Sequence, residues 1–248
     1  MRVLVISDIH ANLVAFDAVL EYAQKEGGFD RIWCLGDVVG YGPNPNECVE
    51  RLREFDHICV LGNHDAAALG QVDVEEFNPD AKRAILWTQE HLSTSARMYL
   101  ESRPHRLVQG PYTIVHGSPR DPVWEYILSP SIAREQFDHF ETPFCLVGHT
   151  HVPMLYQYIS TNSQGELRWE YPQPDTRYPL TLDERWILNP GSVGQPRDQD
   201  PRAAFVLLDT ETHTWHYYRI PYDIERTQYL MREAGLPPRL IARLSYGW

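Results

Sequence analysis

Five short apolar runs in this chain each end in a residue able to bind a metal ion or move a proton. They read VLVIS-DIH, IWCLG-D, ICVLG-NHD, YTIV-H and FCLVG-HTH. Amphipathic segments separate them. Leu13, Phe16, Leu20 and Ala23 recur at helical spacing behind a capping Asn12, and Asn44, Pro45 and Glu47 open a further helix ahead of Val49 and Leu52. Short buried-type runs alternating with amphipathic segments predict layered α/β structure. Ligands of open α/β sheets gather beyond the carboxyl ends of the strands, so endings spread over residues 8 to 151 can meet in one site. Gly36, Gly62 and Gly148, just before three of these endings, would let the backbone turn sharply and come close to an ion.

The remaining chain is read as part of the same domain, 1–248. Residues 66–110 form a more polar insertion with helical signals at Ala81 to His91 and Ala96 to Leu100, expected as a rim over the site. Beyond His151 the texture is strand-like, with Met154 to Ser160, Leu167 to Tyr171, Trp186 to Leu188, Phe205 to Leu208 and Trp215 to Ile220, expected as a second sheet. Residues 172–181 read as an exposed loop, and Asp223 to Leu244 as closing helices.

Composition excludes several classes of function. The formal charge of -12 repels a polyanion, so long nucleic acid is not an expected partner, whereas a small phosphorylated substrate is admissible if local cations reverse the sign. No apolar stretch approaches the ~20 residues of a membrane-spanning helix, so no membrane association is expected. The run Val3 to Ile6 follows Met1 too closely for a signal peptide, and Cys34, Cys48, Cys59 and Cys145 lack metal or redox spacing. Reduced core thiols and a cytoplasmic location are expected.

Each candidate alone has an ordinary explanation. An Asp after a strand is usually a turn residue, a lone His is usually structural, and Asn63 alone would be a turn former. Five independent strand ends carrying Asp, His or Asn together are not explained that way. Two divalent ions held ~3.5–4 Å apart need a shared anionic ligand, and Asp37 is the natural bridge. Mixed imidazole, carboxylate and amide donors suit transition metals over calcium or magnesium. Manganese is the expected ion, with iron, zinc, nickel or cobalt as alternatives.

In this order, D-x-H, G-D, G-N-H-D and G-H-T-H resemble the motifs of the calcineurin-like metallophosphoesterase family. The resemblance implies a two-sheet sandwich flanked by helices, a four-layer α/β/β/α fold. It also implies that Asp8, His10 and His151 hold one metal, that Asn63, His116 and His149 hold the other, and that Asp37 bridges them. His64 then matches the family's catalytic histidine, with Asp65 able to orient it and keep it charged. The segments GDVVGYGPNPNEC, HGSPRD and NPGSVGQPR are similar to a small prokaryotic phosphodiesterase-like branch. Protein serine/threonine phosphatases and symmetrical dinucleoside tetraphosphatases carry an Arg soon after the G-D aspartate and a G-N-H-E variant. Gly40, Tyr41 and Asp65 stand here instead, against both activities.

The expected function is hydrolysis of a small phosphodiester by a hydroxide bridging two metal ions. A protein or nucleotide phosphatase and a non-catalytic interaction scaffold are the alternatives. Arg120, Trp124 and Tyr126 beyond His116, together with Tyr41 and Arg197, are candidates for gripping phosphate or stacking on a substrate ring. Loop packing and turn formation are the competing explanations for them.

Overall fold

The computed structural model describes residues 1–160 and 165–248. Its strands are β1 (Arg2–Ile6), β2 (Arg31–Cys34), β3 (His57–Cys59), β4 (Arg106–Gln109), β5 (Tyr112–Val115), β6 (Phe144–Leu146), β7 (Met154–Ile159), β8 (Glu166–Glu170), β9 (Thr176–Pro179), β10 (Arg185–Asn189), β11 (Ala203–Asp209) and β12 (Thr214–Ile220). The helices are α1 (Leu13–Lys25), α2 (Pro45–Arg53), α3 (Asn63–Ala68), α4 (Pro79–His91), α5 (Thr94–Glu101), α6 (Pro130–Gln136), α7 (Ile224–Glu233) and α8 (Pro238–Arg243).

Two mixed six-stranded sheets result, ordered β3-β2-β1-β11-β12-β9 and β4-β5-β6-β10-β7-β8. Alternation along the strands sets the layers. Val3, Val5, Val206 and Leu208 of the first sheet face Tyr112, Ile114, Leu146 and Leu188 of the second across one buried cluster. Leu4, Ile6 and Phe205 point the other way, against Phe16, Val19 and Leu20 of α1. On the far side of the second sheet, Cys145, Tyr156 and Ile187 pack against Ala133 and Phe137 of the α6 region. This is the expected helix–sheet–sheet–helix layering.

The parallel strands β1, β2 and β3, and likewise β5 and β6, run in register and carry their ends to one edge of the sandwich. Asn12 caps α1, its Oδ1 accepting from the Ala15 amide at 3.2 Å, as the sequence predicts. Asn44 precedes α2 without a side-chain capping bond.

Three expectations are corrected. The strands after His151 do not form a sheet of their own: β9, β11 and β12 complete the first sheet, and β7, β8 and β10 complete the second. Pairing between distant strands leaves no local trace, and β11 is buried throughout most of its length because β1 and β12 flank it. Residues 66–110 are only partly rim. Leu92, Ala96 and Leu100 join the buried cluster shared with α1 and α2, α5 packing against α2 and α3, and Arg106–Gln109 is an edge strand of the second sheet. Residues 176–179, expected in a loop, form edge strand β9, where Pro179 is tolerated.

The part of the insertion that remains above the sheets is α4. Its Ala81 and Ala84 pack with Met231, Leu236, Leu240 and Leu244 of the closing helices around Tyr41. The four cysteines are free and buried. Among the described residues no helix is long and apolar enough to cross a membrane.

Candidate metal centre

The strand ends converge as the sequence predicts. Asp8, His10, Asp37 and His151 place ligand-type atoms within 4.8 Å of one another, and so do Asp37, His116 and His149. Asp37 belongs to both groups. Its Oδ2 lies 3.6 Å from His10 Nε2 and 3.3 Å from His116 Nε2, and its Oδ1 accepts the His64 amide at 2.9 Å. Asn63 Oδ1 is 3.1 Å from His116 Nε2, which adds the amide to the second group.

Backbone geometry makes this convergence possible. Asp8, His10, Asp37, Tyr41, His149 and His151 all have φ between 50° and 64°, a left-handed conformation costly for side-chain-bearing residues. Gly62 is needed for close approach, since a Cβ there would stand 2.0 Å from Asp37 Oδ1. Asn189 holds the turn that carries both late histidines, donating to Gly148 O at 2.8 Å. Ser192 Oγ donates to Asp8 O at 2.9 Å, so the Asn189–Ser192 turn braces two strand ends at once. The sequence marks this segment as a turn and gives no sign of the bracing.

Imidazole orientation follows from the ring nitrogen facing outward. His10 Nδ1 meets Val39 O at 3.2 Å, His116 Nδ1 meets Leu35 O at 2.8 Å and His151 Nδ1 meets Gln195 O at 2.6 Å. A carbonyl can only accept, so each Nδ1 carries a proton; His10 and His151 then present the Nε2 lone pair inward, while His116 Nε2 faces two acceptor oxygens, Asn63 Oδ1 and Asp37 Oδ2. His149 is reversed: Nε2 donates to Trp124 O at 3.1 Å, which leaves Nδ1 facing inward.

The inward-facing atoms fit divalent cations. His10 Nε2 and His151 Nε2 are 3.0 Å apart, two lone pairs with no proton between them. Both oxygens of Asp8 and Oδ2 of Asp37 are buried without a hydrogen-bond partner. Such groups are costly to bury unless a cation binds them. Mixed nitrogen and oxygen donors are of the type transition metals take.

The titration behaviour has the same origin. Burial pushes Asp8 up to about 7, against the opposing charge of His116. Burial alone would raise Asp37, but His116, His64 and His10 hold it well below the usual carboxylate range. His116 is lifted to about 9 because Asp37 outweighs burial, whereas burial drives His10, His149 and His151 well below the ordinary imidazole value.

His64 lies beside this cluster, its ring 4.9 Å from His10 and 4.2 Å from Tyr41. Asp65 makes no hydrogen bond to it. The two Asp65 oxygens accept the Val39 amide at 3.0 Å and the Gly62 amide at 3.1 Å, tying the turns after β2 and β3 together. Neighbouring residues on a helix point in different directions, so Asp65 supports the backbone where an orienting contact was expected. Burial lowers His64 to about 4, so its imidazole is neutral in this arrangement, contrary to the expected charged form.

The substrate candidates separate. Arg197 Nη2 donates to Tyr41 Oη at 3.3 Å, and its buried Nε has no partner. Tyr126 stacks on His149 at 3.7 Å, and Trp124 adds its ring to Phe77 at 5.4 Å. Arg120 is drawn away into ion pairs with Glu125 and Glu135. Phe77, which sequence reasoning passed over, sits 5.1 Å edge-on from His64. A single aromatic in a polar insertion carries no signal of this placement.

Comparisons with known proteins place the whole chain. The model of the calcineurin-like phosphoesterase superfamily domain matches residues 1–213. A crystal structure of a metallophosphoesterase from Sphaerobacter thermophilus superposes with a TM-score of 0.87 at 47% identity, covering 100% of this chain and 99% of that one. An uncharacterized protein of Methanocaldococcus jannaschii is 36% identical over 248 residues, 98% of this chain and 97% of that protein. A protein of Escherichia coli named as a phosphodiesterase is 25% identical over 221 residues, 85% of this chain and 89% of that one.

Proposed function

Because the chain belongs to the calcineurin-like phosphoesterase superfamily, we propose that this hydrolytic phosphoesterase cleaves a phosphodiester of a small molecule with two divalent ions, manganese first among them. Asp8, His10, Asp37 and His151 would hold one ion, and Asp37, Asn63, His116 and His149 the other. When bound, such ions lower the pKa of water toward neutrality and offset charge on phosphoryl oxygens.

The chain's own residues do the rest. Asp37 keeps both groups in one frame through the Oδ2 they share, while its Oδ1 fixes the start of α3. His64, held by that same helix, would donate a hydrogen bond from its ring N–H to the departing oxygen. Arg197 would bind a phosphoryl oxygen with its unpartnered Nε–H, braced by Tyr41. Phe77 and Trp124 would shut water out beside His64.

The observation that carries this reading is the bare Oδ2 of Asp37 standing between the imidazoles of two separate groups. A metal-by-substrate screen tests it, using bis-p-nitrophenyl phosphate, p-nitrophenyl phosphate, cyclic nucleotides and dinucleoside polyphosphates. The diester reading requires the highest kcat/KM on a diester with manganese. Preference for the monoester or for a dinucleoside polyphosphate overturns it, and absence of turnover on every substrate favours a scaffold.

A further inference from the structure

In a chain of formal charge -12, residues 234–248, AGLPPRLIARLSYGW, carry two arginines and no acid. The segment folds back onto the loop that bears Arg197. Gln199 N–H donates to Gly247 O at 2.8 Å, and a Cβ on Gly247, whose φ is +66°, would lie 2.7 Å from the Asp200 backbone. Arg243 Nε donates to Trp248 O, which turns the last residues over α8.

Between this segment and the start of α4 is a cavity of about 570 Å³ lined by Asn78, Asp80, Arg239, Arg243, Tyr246 and Trp248. That volume suits a small organic ligand. Tyr246 and Trp248 stack on each other at 4.8 Å and 25°, yet they remain 55% and 60% exposed. Leaving two large rings in water at a cavity mouth forgoes burial that a flat ligand would supply. Arg239 takes part in none of the arginine ion pairs among the described residues, and Arg243, whose Nε–H goes to Trp248 O and which feels the favourable charge of Asp80, keeps its two terminal nitrogens for a ligand. Burial and then the like charge of Arg197 pull Arg243 down to about 10, a penalty that a bound anion relieves.

We propose that this cavity is a binding site for a nucleoside monophosphate, with the base on the Tyr246–Trp248 pair and the phosphate between Arg239 and Arg243. Asp80 is placed to accept a ribose hydroxyl. Stacking on aromatic side chains tolerates any base, so the site selects the class rather than one nucleotide. The overall negative charge favours a single nucleotide over a strand. The site is distinct from the metal centre, because none of the seven proposed metal ligands lines this cavity.

Calorimetry on EDTA-treated protein tests the assignment separately from hydrolysis. One AMP per chain should bind at least tenfold more tightly than adenosine or inorganic phosphate alone. Arg239→Ala and Trp248→Ala should each weaken AMP about tenfold while leaving the melting temperature and the turnover of metal-loaded protein unchanged. No AMP binding below millimolar concentration, binding untouched by both substitutions, or equal affinity for phosphate alone overturns the proposal. Tighter binding of a decamer of adenylate than of AMP overturns the single-nucleotide assignment.

Discussion

Asp37 accepts the backbone N–H of His64 at 2.9 Å, so the carboxylate common to both ligand groups also fixes the residue proposed to act on the leaving group. Asp37→Ala should therefore be the most damaging single change at the site. Metal analysis after reconstitution with manganese should show both ions lost from Asp37→Ala and one retained in Asp8→Ala, with turnover lower in the former. Similar metal content in the two variants contradicts the shared role of Asp37.

His64→Ala should keep both ions and lose ~10²-fold or more in turnover on a substrate with a poor leaving group. With p-nitrophenolate, which departs without a proton, the loss should shrink. A defect of equal size on both substrates removes His64 from the leaving-group role.

Asp65→Ala should behave differently, because its carboxylate serves two buried amides and leaves His64 alone. The expected cost is ~2–5 kcal/mol of stability, from two amides left without an acceptor. Denaturant unfolding would register that loss, and the leaving-group dependence of the surviving activity should match the parent protein. A leaving-group profile resembling that of His64→Ala restores the orienting role expected from the sequence.

The two arginine candidates should part company. Arg197→Ala should raise KM about tenfold or more, through loss of a charge-assisted contact to phosphate. Arg120→Ala should change neither kcat nor KM, since its guanidinium is engaged by Glu125 and Glu135. Steady-state kinetics on one diester decide the matter, and equal effects reject the distinction.

Residues 66–110 should split along the division between rim and core. Phe77→Ala should alter substrate preference while keeping metal content. Leu100→Ala, in the buried core on α5, should cost ~2–5 kcal/mol without changing preference. If Phe77→Ala proves as destabilising as Leu100→Ala and equally neutral toward substrates, Phe77 belongs to the core.

The strand ends were legible in the sequence because each is local: an apolar run, in four of the five a small residue, then a ligand-type side chain. The two-sheet fold and the helix capped by Asn12 came from the same kind of signal, the former through its motif order. The division of later strands between sheets was hidden, because β10 pairs with β6 across some forty intervening residues and nothing in either strand names its partner. Arg120 was misplaced for a related reason, since Glu135 reaches it only once α6 has folded alongside. Adjacency misled in the case of His64 and Asp65, where neighbours in sequence serve opposite sides of one helical turn.

Asp8, His10, Asp37 and Asn63 follow strands of the first sheet, whereas His116, His149 and His151 follow strands of the second. Each proposed ion would thus be gripped from both halves of the sandwich, like a rivet through two plates at one edge. Ions bound this way reward only the closed arrangement, so loading couples the two sheets and makes their separation one event. Stripped of ions, the same edge would hold facing lone pairs and bare carboxylates, which would make it the weakest seam between the two layers.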